Sequence, residues 1–329
     1  MREKVNGFVG VMAVAILCMV SGLCMVWGIA PVVLAVYVAA CAVCGRYMIT
    51  CIGCAAGVAA GSMGIAGLLH AYEYMIPGPV YSGVMVTEKY LVLLGLAMCL
   101  MKIVYSRNSR SYVRVIVVMS AAVLMGNIVV YADNMLMAAA YGVVEAAIFM
   151  CASVILKPGI GLLYTYICGD ASDVERDESW NISQGIVSLM ALAAVVLWVV
   201  PGEDIYGVNP AFMLALVLIL YAVYRTGAVY GCGMAAVAGS IVSVKLNDSR
   251  WLMWMLLVTL VMLIGRALTG RRKVSASLFY VLGCVLASVA DGTVLWNGSG
   301  REIAFYYINI AVPVVLFACI PGALLGAMD

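Results

Sequence analysis

Charge is what this 329-residue chain has least of: 10% of its residues are Asp, Glu, Lys or Arg, and histidine occurs once. A soluble domain carries roughly 25% charged residues, so a water-facing shell around a single apolar core is excluded. The 18 basic and 16 acidic residues nearly cancel, leaving a net charge of +2 and no basic excess to suit a nucleic-acid partner. Catalytic spellings are missing too. No G-x-x-x-x-G-K-[ST] phosphate loop and no G-x-S-x-G nucleophile elbow occurs. A Ser-His-Asp arrangement would have to be built on His70, which falls at the outer end of an apolar run.

Apolar residues are abundant instead, at 66% of the chain with a mean hydropathy of +1.12. Such a chain belongs in a bilayer, where the backbone must satisfy itself and a helix needs roughly 20 apolar residues to cross. The alternating pattern of a membrane β-barrel is absent. Apolar runs fall near 8–28, 30–45, 47–69, 90–105, 114–132, 135–156, 184–200, 209–224, 227–244, 251–268, 274–290 and 303–325. Some are short or nearly fused, notably around Arg46 and Arg225. The expected fold is therefore all-α: a polytopic transmembrane helical bundle of ten to twelve spans, forming a single integral membrane domain over 1–329.

Charge placement orients this bundle. The first run is longer than the roughly 7 to 15 residues of a signal-peptide core and lacks a small-residue cleavage site, so it reads as a span. Arg2 and Lys4 before it put the N-terminus in the cytoplasm. Threading twelve spans from there assigns every basic residue to the inside except Lys89, Lys245, Arg250 and Arg301, and makes both termini cytoplasmic. The acidic segment around Asp170, Asp173, Glu175, Asp177 and Glu178 then lies in a cytoplasmic loop of about 157–183. It lacks the spacing of a calcium loop and reads as solvated, with a docking surface as the alternative.

Glycine recurs at helical spacing. Gly53, Gly57 and Gly61 step by four residues, as do Gly227, Gly231, Ala235 and Gly239; small residues at that interval let two helices approach closely. Arg225 just before the second series marks either a cytoplasmic turn or a charge within a broken helix. Cys41, Cys44, Cys51 and Cys54 form two C-x-x-C pairs, readable as a metal site or as small buried apolar residues. One acid is too deep to be solvated. Glu145 sits about half-way along its run, with Asn127 in the neighbouring run as a candidate partner. It is either a hydrogen-bonded link between helices or a proton or substrate site.

The order of the runs, the "VEAAIF" segment around Glu145, the loop after it and "TGAVYGCGMAAVAGSIV" resemble the N-terminal membrane domain of stage II sporulation protein E, over about residues 8–325. The resemblance implies a multi-pass protein of a bacterial cell membrane, acting in sporulation at the asymmetric septum. In that family a manganese-dependent serine phosphatase follows the membrane domain. These 329 residues contain no counterpart, so the expected role is a non-enzymatic anchor or regulatory domain without a cofactor. Expected partners are membrane lipid, further copies of the chain, and cell-division and sporulation proteins. The alternative is a small-solute permease that uses Glu145 and Asn127.

Overall fold

The computed structural model describes residues 2–23, 31–63, 83–104, 109–132, 134–168, 182–200, 202, 208–291 and 300–319. Among them are twelve helices and no β-strand: α1 Arg2–Leu23, α2 Pro31–Cys44, α3 Tyr47–Met63, α4 Gly83–Ile103, α5 Ser109–Val130, α6 Met135–Cys168, α7 Ile182–Val199, α8 Pro210–Thr226, α9 Ala228–Lys245, α10 Arg250–Thr269, α11 Lys273–Asp291 and α12 Gly300–Cys319. Each of the twelve apolar runs meets one helix. Among the described residues, α5, α6, α9, α10 and α11 contain stretches long and apolar enough to cross a membrane.

The outward faces of these helices suit a lipid environment. On α5 the buried residues Tyr112, Val115, Met119, Val123 and Asn127 alternate with exposed Val113, Val117, Val118, Met125 and Val129. A surface helix of a soluble protein turns charge to its outer face. Here the outer face beyond the exposed Arg110 and Arg114 of the first turns is apolar, as suits a helix between protein and lipid.

The chain divides into two compact units, Met1–Val195 and Val196–Asp329. In the first, α2 is the central element. Its residues from Pro31 to Cys41 are all buried, which explains a helix that is apolar all round. Around it stand α1, α3, α4 and α6. The expected loop from 157 is corrected at its start: α6 continues through Lys157 and Pro158 to Cys168. A proline inside a helix removes a backbone donor and disturbs the ladder. Next to it, the Gly159 N–H donates to Ser188 Oγ on α7 at 2.5 Å, the kind of neighbouring-helix repair that lets membrane helices keep proline.

In the second unit, local signals set the boundaries. Pro210 stands in the first turn of α8, and the Asn209 side chain caps it by accepting from Phe212 N at 2.9 Å. α8 and α9 are separated by Gly227 alone, at φ 95°, a backbone state that side chains disfavour. Gly270 ends α10 at φ 73°, its N–H donating to Arg266 O at 2.9 Å. Between α9 and α10, Arg250 closes the turn with paired hydrogen bonds to Asp248, holding that carboxyl below its ordinary range.

Candidate functional site

Three neighbouring helices of the first unit bring a cation, an amide and an acid together. Lys89 lies on α4, Asn127 on α5 and Glu145 on α6. Lys89 Nζ stands 2.8 Å from Glu145 Oε2 and donates to Asn127 Oδ1 at 3.1 Å. Asn127 Nδ2 donates to the same Glu145 oxygen at 2.6 Å and to Val123 O at 3.1 Å. The side chains of Lys89 and Glu145 are 4% and 18% exposed, and Asn127 is fully buried. Unpaired, a carboxylate at this depth is expensive. Here an ammonium and an amide compensate it, and the triangle is electrically neutral.

Small residues make the room. A Cβ on Gly126 would lie 3.2 Å from Lys89 Cγ, so the lysine stem rests on that glycine. On α6, a Cβ at Gly142 would come within 3.3 Å of Leu124 and 3.5 Å of Asn127 Cβ, so α5 and α6 meet closely one turn from Glu145. The ring of buried Tyr90 lies with its centroid 4.6 Å from Lys89 Nζ, where its π face favours the ammonium. The Tyr90 hydroxyl is directed at the Glu145 carboxylate, in weaker geometry than the bonds from Lys89 and Asn127.

Of the expected site residues, Asn127 and Glu145 are thus brought together, while Lys89 had been assigned to an external loop. That assignment is corrected: Lys89 is inside α4 and buried. A signal was present in the sequence. Lys89, Leu93, Ala97 and Met101 recur every four residues and share the buried face of α4. An assignment that counted lysine only as a loop marker could not use it. Lys245 likewise belongs to the last turn of α9, buried, with Nζ donating to Val200 O.

The glycine series lie at close approaches. A Cβ on Gly53 would meet Ala15 O of α1 at 2.7 Å, and one on Gly57 would clash with Met19 O of α1; Gly61 is buried in the same helix. In the second unit, a Cβ on Gly231 would meet Val223 at 2.8 Å and one on Gly239 would meet Leu252 at 3.0 Å. Gly227 forms the break after α8, with the Arg266 guanidinium 3.2 Å from its Cβ position. Arg225 occupies the last turn of α8, immediately before this break.

Cys41 and Cys54 are buried, Cys44 and Cys51 partly so. Cys41 Sγ is 3.1 Å from Thr50 Oγ1. Among the described residues no group of three or more His, Cys, Asp or Glu side chains is placed to hold a metal ion, so the two C-x-x-C pairs do not converge as a ligand set. His70 and the acidic segment from Asp170 to Glu178 lie outside the described residues.

No protein family, curated protein or solved structure matches this chain.

Proposed function

We propose that this chain is a non-enzymatic, multi-pass membrane domain that anchors and organises regulatory machinery of sporulation, akin to the membrane domain of stage II sporulation protein E. The observation that carries this reading is the state of Glu145. The acid on which a transport site would depend is occupied by Lys89 and Asn127. A triangle closed on itself ties three helices together, which suits a domain whose work is to hold a shape and a place. The "VEAAIF" segment of the resemblance falls at this triangle, and the glycine-rich segment falls at the α8–α9 break.

In this reading the twelve helices cross the bacterial cell membrane ten to twelve times, with both ends in the cytoplasm. Glycine-faced helices would support self-association, and cytoplasmic loops would meet division and sporulation proteins. A fluorescent fusion in a sporulating host tests the placement. The expected outcome is enrichment at the asymmetric septum; uniform signal over the whole membrane throughout sporulation contradicts it.

One observation favours a permease as the second reading. Glu145 keeps 18% of its side chain exposed, with the buried Tyr90 hydroxyl beside it. Uptake into proteoliposomes separates the two readings. Substrate flux that is lost in Glu145→Gln would establish transport.

A further inference from the structure

Two thiols of the first unit meet across a helix interface. Cys18 on α1 and Cys54 on α3 are free and fully buried, and their side chains hydrogen-bond one another. The backbones beneath them are in contact. A Cβ on Gly53 would meet Ala15 O at 2.7 Å and Cys18 Cβ at 3.4 Å, and a Cβ on Gly22 would overlap the Gly57 backbone at 2.5 Å. Ala15 therefore faces Gly53 and Gly22 faces Gly57, so α1 and α3 run side by side in the same direction. Cys18 and Cys54 lie between these two contacts.

A disulfide needs Cβ atoms roughly 3.5–4.5 Å apart. Helices held apart by ordinary side chains cannot bring two cysteines that close, whereas small residues at the interface let backbones approach. Glycines above and below this pair supply that approach and leave little freedom to separate. The neighbouring cysteines stand differently. Cys41 Sγ is 3.1 Å from Thr50 Oγ1, and Cys51 is only partly buried.

We propose that Cys18 and Cys54 are a modification site, an oxidisable pair that closes into a disulfide and locks α1 onto α3. The co-reactant is hydrogen peroxide, small and uncharged enough to enter an apolar interior. One sulfur takes an oxygen as the O–O bond breaks, giving a sulfenic acid and one water. The other sulfur then attacks it: the S–S bond forms, the S–O bond breaks, and the hydroxyl leaves with the remaining thiol proton as a second water. Two thiols and one peroxide become one disulfide and two waters. Burial slows this step, and it also shields the product, since reduction by exchange requires a thiol to reach one of the sulfurs. This site does not depend on the sporulation reading, and either can fail without the other.

The test uses the full chain purified in a neutral detergent and treated with hydrogen peroxide. Remaining thiols are alkylated after unfolding, and the chain is cut after Arg46, which is exposed between α2 and α3. Without reductant, the segments on the two sides of Arg46 should stay joined; reduction of the unfolded chain should part them. Cys18→Ala and Cys54→Ala should each abolish the link, whereas Cys41→Ala and Cys51→Ala should leave it. The oxidised native chain should also unfold at a higher temperature than the reduced one, because the closed loop narrows the unfolded ensemble. Segments of the native chain that separate without reductant, a link that survives in Cys18→Ala or Cys54→Ala, or an unchanged thermal midpoint would each overturn the assignment.

Discussion

Lys89 on α4 and Glu145 on α6 form a buried ion pair, Nζ to Oε2 2.8 Å, across 56 residues of sequence. Asn127 bonds both partners. The consequence is energetic asymmetry: the pair costs little while intact and much when halved.

Removing one partner should therefore hurt more than removing both. Lys89→Met strands a carboxylate and should lower stability by about 3 kcal/mol. Lys89→Met/Glu145→Leu should recover most of that loss. Unfolding of the purified chain in mixed micelles measures both. If the double variant is no better than the single one, the pair is not the clasp described here.

Close helix approach makes a second prediction. Gly57→Ala pushes a methyl group against Met19 O and Gly22 of α1 and should cost about 1–3 kcal/mol by overpacking. Gly95 has nothing within 4 Å of its Cβ position, so Gly95→Ala should be neutral or slightly stabilising through helix propensity. Thermal midpoints of the two variants should move apart. Equal midpoints would mean that the α1–α3 contact is not tight.

Gly227→Ala should destabilise by about 1 kcal/mol, because a side chain at φ 95° is strained. Its Cβ also approaches the Arg266 guanidinium at 3.2 Å, which adds to the strain. A fully stable variant would show that the α8–α9 break adopts another conformation.

Topology gives the fourth prediction. In the proposed arrangement the α10–α11 turn is cytoplasmic and the α9–α10 turn external. In a background freed of native cysteines, Asp248→Cys should react with an impermeant maleimide in intact cells. Arg271→Cys should react only after the membrane is opened. The reverse pattern would invert the proposed orientation.

The helices were legible because a bilayer demands continuous apolar runs, and each run met a helix. Breaks at Gly45–Arg46 and at Gly227 could be placed because charge and glycine coincide there. The site was half legible. Glu145 and Asn127 stood out as polar residues within apolar runs, but Lys89 borders its run and looked like a flank. Only pairing across helices distinguishes a buried lysine from a membrane-surface one, and pairing is a tertiary property. The extension of α6 past Pro158 escaped for a similar reason. Its nearby repair comes from Ser188 on another helix.

The most direct measurement of the central claim is polar septation and forespore gene expression in a sporulating host that lacks this chain. The account predicts defective septation or expression, restored by the native sequence and restored less by Lys89→Met. Normal septation and normal forespore expression in the deletion strain would contradict it.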